Sequence, residues 1–440
     1  MSRYKAYPEY KDSGEDWLGE VPSHWNVIKI KHLSPIKRGA SPRPIDDAKY
    51  FDDDGEYAWT RIADVTASDV YLIEAPQRLS DLGSSLSVKL EPESLFLSIA
   101  GTVGKPCITG IKACIHDGFV YFPELRIPNK FLFYVFAGEQ AYKGLGKFGT
   151  QLNLNTDTVG GIKIGCTDSA GLEKIVAFLD HETAKIDALI EKQQRLIELL
   201  KEKRQAVISH AVTKGLNPNA PMKDSGVVWL GEVPAHWAIR KFGYISMVVR
   251  GGSPRPAGDP ALFNGDYSPW VTVAEITKDD DIYLTETETF LTKKGSEQCR
   301  VFSKGTLLLS NSGATLGVPK ILSIDANAND GVVGFEDLTL NHEFAYFYLS
   351  TLTDDLRERI KQGSGQPNLN TDIVKAITVP VPPDQEVEAI VESIKKSREQ
   401  FNALVEKAKS GIELLQERRT ALISAAVTGK IDVRDWQAAA

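Results

Sequence analysis

Residues 11–25 read KDSGEDWLGEVPSHW, and residues 223–237 read KDSGVVWLGEVPAHW. The two stretches are identical at 12 of 15 positions, and such a match does not arise by chance. The repeating unit is about half of the chain, far longer than the units of roughly 20 to 50 residues that build solenoids. The repeat therefore predicts an internal duplication of a whole globular domain together with a helix.

Further matches follow in the same order along the chain. They pair RGASPRP (38–44) with RGGSPRP (250–256), WTRIADVT (59–66) with WVTVAEIT (270–277), LFLSIAGTVG (95–104) with LLLSNSGATLG (307–317), QLNLNTD (151–157) with QPNLNTD (366–372), and IELLKEKRQAVISHAVT (197–213) with IELLQERRTALISAAVT (412–428). Between these anchors, residues 67–93 and 278–305 show no useful similarity. A shared scaffold with a different middle is expected of two related surfaces that recognise different things.

The composition is that of an ordinary globular chain. Of the 440 residues, 42% are hydrophobic and 25% are charged, which excludes a disordered chain, a collagen-like fibre and a disulfide scaffold. No apolar run approaches the roughly 18 residues that span a bilayer, and the N-terminal stretch lacks the apolar core of a signal peptide. The four cysteines form no C-x-x-C pair, so we expect a reduced, cytoplasmic location and no membrane partner.

The overall charge gives weak evidence about partners. The chain has 51 basic and 59 acidic residues, a net charge of −8, which argues against simple electrostatic adhesion to nucleic acid or to an anionic membrane. This average hides local basic clusters, and a partner subunit could supply further positive charge. Binding to nucleic acid therefore stays open.

Each copy divides into a globular part and a helical part. Short β-like runs separated by Gly, Pro, Asp and Asn turn signals predict a mixed α+β domain. Apolar residues then recur at heptad spacing, which is typical of a coiled-coil seam, although an amphipathic helix packed on its own domain is the alternative. The rows are Leu172, Leu179, Ile186, Gln193, Leu200 and Val207, then Ile175, Glu182, Leu189, Leu196, Lys203 and His210, and in the second copy Val387, Ile394, Phe401, Ala408, Leu415 and Leu422.

The predicted fold class is α+β, with two duplicated globular domains separated by two long helices. At 1.5 Å per residue each helix is roughly 60 Å long, and the two most simply pair as an antiparallel coiled coil with pseudo-twofold symmetry. The predicted boundaries place the first globular domain at 1–171, the central helix at 172–214, the second domain at 215–384, the distal helix at 385–428 and a tail at 429–440.

Known catalytic motifs are absent from the sequence. GLGKFG (144–149) matches G-x-G-x-x-G but follows an aromatic helical stretch instead of a strand, so it predicts a loop. GTVGKP (101–106) lacks the spacing of a P-loop, and HETAK (181–185) lacks the second histidine of a zinc protease motif. No nucleophile elbow and no zinc-ligand cluster is present. We therefore expect no active site, no cofactor and no metal.

Each copy opens with a basic segment that ends in a Ser-Pro-Arg-Pro loop. Residues 26–45 and residues 238–256 contain several Lys and Arg residues and no acidic residue. Gly allows the backbone to approach a partner, Ser can bond phosphate oxygens, and Arg can bind phosphate or guanine. The alternative is a solvated strand edge and turn. The candidate DNA-binding residues of these segments are Lys37, Arg38, Ser41, Arg43, Arg250, Ser253 and Arg255.

Two further loops, each following a Leu/Phe-rich strand, are small, polar and rich in Gly. They suit close approach to DNA, although packing turns are equally compatible with their sequences. Together with Arg61 in the matched segment 59–66, the further candidates for DNA contact are Thr102, Lys105, Asn311 and Thr315.

Two other shared features point to structural roles. The Asn-Thr-Asp sequences at Asn155 and Asn370 are typical of helix N-caps, so we favour a capping role over a functional one. The paired tryptophans are expected to pack in the core or between domain and helix; they are Trp17, Trp25, Trp229 and Trp237.

The repeated WLGEVP-x-HW segment, the Gly-Ser-Pro loop, the Gln-x-Asn-Leu-Asn segment and the long helix ending in Ala-Val-Thr together resemble the specificity (S, HsdS) subunits of type I restriction–modification enzymes. The resemblance covers nearly the whole chain, in both copies and in order. It implies two target recognition domains, each reading half of a bipartite, asymmetric sequence in double-stranded DNA, with the coiled coil setting the gap. It also implies a non-catalytic chain that holds two adenine-methylating modification subunits and recruits ATP-dependent restriction subunits.

Two other classes of protein are weighed against this interpretation. The second candidate is a coiled-coil adaptor whose two globular domains bind protein. A methyltransferase fused to its own recognition domain is the third, and the missing catalytic motifs argue against it.

Overall fold

The computed structural model describes residues 4–142, 154–313, 315–361 and 369–438. The chain divides into two compact units, which we call unit 1 (residues 1–194 and 409–440) and unit 2 (residues 195–408). The predicted loop at 144–149 and the first three residues of both Gln-x-Asn segments (151–153 and 366–368) lie outside the described residues. Within the described ranges, no helix is both long and apolar enough to cross a membrane.

Unit 1 contains the first copy of the duplicated domain. Its strands are β1 (Tyr10–Asp12), β2 (Glu20–Pro22), β3 (Asn26–Lys29), β4 (Lys37–Arg38), β5 (Tyr57–Thr60), β6 (Tyr71–Leu72), β7 (Arg78–Leu79), β8 (Val88–Leu90), β9 (Leu95–Ser98), β10 (Pro106–Thr109), β11 (Ala113–Ile115), β12 (Phe119–Tyr121) and β13 (Lys163–Cys166). Its helices are α1 (Ile62–Ala67), α2 (Asp81–Ser85), α3 (Asn129–Ala137), α4 (Thr156–Gly161) and the first part of α5 (Ser169–Lys214).

Unit 2 contains the second copy. Its strands are β14 (Met222–Asp224), β15 (Glu232–Pro234), β16 (Ala238–Lys241), β17 (Met247–Arg250), β18 (Phe263–Val271), β19 (Tyr283–Leu284), β20 (Phe290–Leu291), β21 (Val301–Phe302), β22 (Leu307–Ser310), β23 (Pro319–Leu322), β24 (Ala326–Ala328), β25 (Val332–Glu336) and β26 (Thr378–Val381). Its helices are α6 (Phe242–Ile245), α7 (Val273–Thr277), α8 (Lys293–Ser296), α9 (His342–Lys361), α10 (Thr371–Ala376) and the first part of α11 (Asp384–Val427).

The sheets of the two units have the same topology. In unit 1 a five-stranded sheet runs β4-β12-β9-β10-β6 and a four-stranded sheet runs β7-β5-β11-β8. In unit 2 the corresponding orders are β17-β25-β22-β23-β19 and β20-β18-β24-β21. Each sheet mixes antiparallel and parallel neighbours, and the parallel pairs are at equivalent places, β6 beside β10 and β19 beside β23. The duplication predicted from the sequence is therefore a duplication of the fold.

The central strand of each five-stranded sheet is apolar on both faces. All four residues of β9 and all four of β22 are buried, which fits strands covered by a helix on one face and by the second sheet on the other. Trp25 and Trp237 are fully buried at equivalent places, which confirms their predicted packing role. Asn155 caps α4 and Asn370 caps α10 through their side-chain oxygens, which confirms the predicted caps.

The long helices α5 and α11 have 46 and 44 residues. Unit 1 joins the amino-terminal half of α5 to the carboxyl-terminal half of α11, and unit 2 joins the other two halves, as an antiparallel pair requires. The predicted fold class is confirmed. One part of the heptad prediction is wrong, because Leu189 and Leu196 of the second row are exposed. A seven-residue row stays on one face only where the helix supercoils, because an α-helix has 3.6 residues per turn.

Candidate nucleic-acid interface

The predicted site residues of unit 1 meet at one end of its five-stranded sheet. The loop after β4, the loop after β9 and the turn before β12 share this end, because β12 pairs with both β4 and β9. The backbone N–H of Ile99 donates to the carbonyl of Gly118 at 2.8 Å, which ties the second loop to the turn. Three segments that are far apart in sequence therefore form one surface.

A single aspartate organises the Ser-Pro-Arg loop of unit 1. The Nε atom of Arg38 donates to the backbone carbonyl of Asp117. Ser41 Oγ donates to Asp117 Oδ1 at 3.2 Å, and Arg43 Nη2 donates to Asp117 Oδ2 at 3.2 Å. The side chain of Arg43 is nevertheless 81% exposed, so its guanidinium projects from the loop while one edge rests on the carboxylate.

Unit 2 repeats this arrangement around Asp330. Arg250 Nε donates to the Asp330 carbonyl at 2.6 Å, and Ser253 Oγ donates to Asp330 Oδ1 at 2.8 Å. The last arginine differs, because the backbone N–H of Arg255 donates to Gln298 Oε1 at 2.9 Å. We call the set of contacts between the Arg-Gly-x-Ser-Pro-Arg loop and this aspartate the loop clamp.

A glycine in each loop permits the clamp. A Cβ atom on Gly39 would lie 2.2 Å from the carbonyl oxygen of His116, and one on Gly251 would lie 2.3 Å from that of Asn329. These distances are far inside van der Waals contact, so only glycine fits there without a shift of the backbone. Both loops also contain a cis peptide bond before their second proline, Arg43–Pro44 and Arg255–Pro256.

The turn that supplies the aspartate uses a different side chain in each unit. In unit 1 the N–H of Gly118 donates to His116 Nδ1 at 2.8 Å, and in unit 2 the N–H of Gly331 donates to Asn329 Oδ1 at 3.1 Å. The imidazole of His116 packs against Phe119, with ring centroids 4.5 Å apart. Burial lowers the pKa of His116, and the nearby Asp117 carboxylate opposes this shift.

The two clamp aspartates, Asp117 and Asp330, are not among the residues predicted from the sequence. The signal was present as HDGF (116–119) and NDGV (329–332), but these two turns are out of register with the two loops by a single position. An aspartate is not expected to contact DNA directly, so the sequence alone gives no sign that Asp117 and Asp330 hold the basic loops.

Helix α1 borders the same surface of unit 1. Arg61 precedes the helix, and its guanidinium pairs with Asp64, with Nη2 and Oδ1 3.4 Å apart. Thr102 lies 2.7 Å from Thr66 between hydroxyl oxygens, and Lys105 Nζ donates to the carbonyl of Thr66 at 2.8 Å. These predicted residues therefore lie together, with polar groups already satisfied inside the unit. Lys37 is exposed on the edge strand β4.

The structure places Asn311 inside unit 2 and not on its surface. The side chain is fully buried, and its Nδ2 atom donates to the carbonyl of Asp330 at 3.4 Å. Its backbone carbonyl accepts from Leu369 at 2.8 Å, so the residue joins the clamp turn to the segment before α10. Asn311 directly follows the buried strand β22. Its side chain therefore lies in the interior, where it holds neighbouring segments together. Thr315 is exposed, and its carbonyl accepts from Ser310 Oγ at 2.7 Å.

The arrangement brings cationic and hydroxyl side chains together around two loops, which suits binding of an anionic partner. Across the described residues, no group of three or more His, Cys, Asp and Glu side chains is arranged to hold a metal ion. Cys107 is buried, and burial raises the pKa of its thiol to about 12, which is the environment of an inert thiol. Cationic side chains around a Gly-containing loop are groups that contact phosphate and base edges.

Comparison with known proteins agrees with this class of site. Residues 234–414 match the model of the type I restriction modification DNA specificity domain family. The chain is 27% identical over 193 residues to the specificity subunit of the type I restriction enzyme MjaIX from Methanocaldococcus jannaschii. This match covers 43% of the chain and 43% of that relative's length.

One solved structure shares the fold over almost the whole chain. A chain from a structure on the complex assembly and conformational transition of the type I R-M system has a TM-score of 0.67 at 14% identity, over 92% of this chain and 98% of that chain. The fold is thus shared with a type I R-M protein. The HsdS subunit from Thermoanaerobacter tengcongensis has a TM-score of 0.48 at 14% identity, over 93% and 98%. The family resemblance predicted from the sequence, to the specificity subunits of type I restriction–modification enzymes, is confirmed.

Proposed function

We propose that this chain is the DNA sequence-recognition subunit of a type I restriction–modification complex. Each globular domain reads one half of a bipartite, asymmetric target in double-stranded DNA. The chain carries no catalytic step itself; it holds two modification subunits, which methylate adenine, and recruits restriction subunits. The observation that carries the proposal is the loop clamp, built twice, on a fold whose second copy matches a DNA specificity domain.

The cationic residues at the clamp support contact with the DNA backbone. In unit 1 the candidates are Lys37, Arg38, Ser41, Arg43, Arg61, Thr102 and Lys105, and in unit 2 they are Arg250, Ser253, Arg255 and Thr315. Phosphate contacts position a protein on the duplex and carry no sequence information by themselves. Residues 67–93 and 278–305, which differ between the copies, are therefore the better candidates for base readout. Two domains that share one fold but recognise different bases would give an asymmetric target.

Exposed leucines on the long helices support two equivalent sites for protein partners. In unit 1, Leu189 and Leu414 are 45% and 64% exposed; in unit 2, Leu404 and Leu199 are 47% and 46% exposed. Leu199 and Leu414 occupy the same place in the matched segments 197–213 and 412–428, and Leu189 and Leu404 stand equally far before those segments. The two pairs are therefore equivalent by duplication. Their recurrence at equivalent places in both copies supports a role that the two units share. Each pair is proposed to bind one modification subunit.

Mapping of methylated adenines tests the recognition role. The chain is expressed with its modification subunits in a host that lacks adenine methylation, and methylated sites are located across the genome. Exchange of residues 26–165 for the matching region of a relative is expected to change one half of the target and to leave the other half and the gap intact. Methylation that is absent, or a target that changes in both halves, would contradict the proposal.

The spacer role of the helices has its own test. Insertion of four residues, about one turn at 3.6 residues per turn, near Gln193 in α5 and at the matching place in α11 is expected to lengthen the gap and to preserve both half-sites. With one domain on each half-site, the natural gap is expected to place half-site centres about one helical turn of DNA, 10–10.5 base pairs, apart. An insertion that changes the bases read, and leaves the gap unchanged, would show that the helices are not a spacer.

A further inference from the structure

The contact between recognition domain and long helix has opposite polarity in the two units. In unit 1, Lys130 of α3 pairs with Asp180 of α5, with Nζ and Oδ2 2.8 Å apart. In unit 2, Glu343 of α9 pairs with Lys395 of α11.

These two ion pairs occupy the same places in the duplicated fold. Lys130 and Glu343 are each the second residue of their helix, α3 or α9. Asp180 and Lys395 stand equally far before the matched segments 197–213 and 412–428. The two positions are therefore equivalent, and their charges are exchanged between the units.

The neighbouring contact is also inverted. In unit 1 the hydroxyl of Tyr134 donates to Asp180 Oδ1 at 2.7 Å and lies 3.5 Å from Thr183 Oγ1. The equivalent of Tyr134 in unit 2 is Phe347, and the guanidinium carbon of Arg398 lies 5.7 Å from its ring centroid. The helix therefore presents acceptors to a donating domain in unit 1. In unit 2 it presents cations to a carboxylate and an aromatic face.

A tyrosine that both units share serves both polarities. Tyr71 of β6 faces Lys130 with its ring, and the ammonium lies 5.4 Å from the ring centroid. Tyr283, at the equivalent place in β19, instead donates its hydroxyl to Glu343. The same residue type therefore supports a cation through its ring and an anion through its O–H group. Both arrangements are complete within their own units.

A second contact of the same interface is not inverted. Arg419 of α11 pairs with Asp187 of α5 and with Asp69 of the recognition domain in unit 1, with closest N–O distances of 2.8 and 3.6 Å. In unit 2 the equivalent Arg204 bonds Asn402 at 2.7 Å and Asp280 at 3.1 Å. This arginine contact can hold either domain, because its polarity is common to both units. The inverted pair can discriminate between them.

We infer that the reversed ion pair matches each recognition domain to its own long helix, so that the two domains are not interchangeable within the chain. Lys130 placed against Lys395, or Glu343 against Asp180, would bring like charges together. The groups are partly buried, with Glu343 and Lys130 less exposed than their partners, so water screens this repulsion only in part. The inference goes beyond DNA recognition and does not depend on it.

The test uses one substitution in two backgrounds. The first is the natural chain; the second is a full-length chimera in which residues 223–383 replace residues 11–168, so that the glutamate of position 343 faces Asp180. Asp180→Lys is expected to lower the melting temperature of the natural chain by about 2–4 °C and to raise that of the chimera by a similar amount. Glu191→Lys, an identical charge change at an exposed site of α5, is the control and is expected to act equally in both.

Variants of the natural chain test the same inference if the chimera does not fold. Lys130→Glu and Asp180→Lys are each expected to lower the melting temperature and to speed amide hydrogen exchange in α3. The combination of Lys130→Glu, Tyr134→Phe, Asp180→Lys and Thr183→Arg reproduces the arrangement of unit 2, and it is expected to recover most of that loss. An effect of Asp180→Lys with the same sign in both backgrounds, or additive losses in the combined variant, would overturn the inference.

Discussion

The two recognition domains keep the loop clamp and change what surrounds it. In unit 1 the clamp aspartate receives Ser41 and Arg43, and a histidine closes its turn. In unit 2 the aspartate accepts a hydrogen bond from Ser253, and the backbone N–H of Arg255 donates to a glutamine side chain instead. The side chain of an asparagine closes the turn. Contacts that fix the backbone of the loop are therefore retained, whereas contacts of the outermost side chains differ.

The same contrast holds for the dissimilar middle segments. Residues 67–93 form β6, β7, α2 and β8, and residues 278–305 form β19, β20, α8 and β21, in the same order and in equivalent sheets. Ser80 caps α2 and Thr292 caps α8 through the side-chain oxygen. The backbone arrangement is thus retained where the side chains diverge, as the proposed recognition of two different half-sites requires.

The largest expected effect comes from filling the space at the clamp glycines. Gly251→Ala would place its Cβ atom 2.3 Å from the Asn329 carbonyl oxygen, so we expect a loss of about 3 kcal/mol in the free energy of unfolding of unit 2, near the upper end for overpacking. Gly39→Ala is expected to cost unit 1 a similar amount. Chemical denaturation of the full chain measures both.

The adjacent glycine supplies the control for this pair. A Cβ atom on Gly252 has no neighbour within 4 Å, and unit 1 already has Ala40 there, so Gly252→Ala is expected to be nearly neutral. A large loss in one unit and none in the other would break the equivalence of the two clamps.

The next effect concerns the paired leucines of the long helices. Leu414→Lys in unit 1 or Leu199→Lys in unit 2 is expected to weaken one proposed modification-subunit site by about 2 kcal/mol, roughly 30-fold, since burial of a leucine side chain in an interface contributes about that much. Sedimentation or native mass measurement of the complex should show one bound subunit in place of two.

Gln416→Lys, at an exposed polar position of α11, is the matched control and should leave two subunits bound. Equal binding by the leucine variants and the control would remove these leucines from the interface.

The sequence predicted the fold in outline because each helix, strand and capping pattern occurs in both copies and each copy supports the other. The repeated caps at Asn155 and Asn370, the buried tryptophans and the two long helices were all correct. The pairing of the strands could not be predicted, since most of them have only two to four residues and such short segments carry almost no periodicity. Exposure of Leu189 could not be predicted either, because a heptad count does not show where along the helix the packed face ends.

The sequence predicted which loops form the candidate site better than it predicted the contacts of each residue. The sequence predicts Arg38, Ser41 and Arg43 as DNA contacts, and in the structure all three contact Asp117, which is distant from them in sequence. Long-range partners of this kind leave no local pattern. Asn311 shows the converse, since a polar residue in a Gly-rich loop resembles a surface ligand until its burial is known.

A smaller effect is expected from the clamp arginines themselves. Replacing Arg38 and Arg43 with Ala should weaken DNA binding and lower the slope of log K against log salt by up to about 2, if both contact phosphate. Arg250 and Arg255 should give the same change in unit 2. Fluorescence anisotropy over a salt series measures the slope, and Arg195→Ala on the exposed face of α5 is the control. An unchanged slope in both units would remove the clamp from the DNA interface.

The smallest expected effect is a pH dependence of stability that arises from the turn of unit 1 and is absent from the turn of unit 2. Burial lowers the pKa of His116, which accepts a hydrogen bond at Nδ1 and must be neutral to do so. The unfolded chain binds a proton near the ordinary histidine pKa of about 6.5 whereas the folded chain resists it, so the stability of unit 1 is expected to fall as pH drops below that value and to level off below the folded pKa. Asn329 makes the equivalent bond in unit 2 and does not titrate. His116→Asn should therefore flatten the pH dependence of unit 1 in urea denaturation measured between about pH 7 and pH 5, and a dependence that survives the substitution would place its origin in another group.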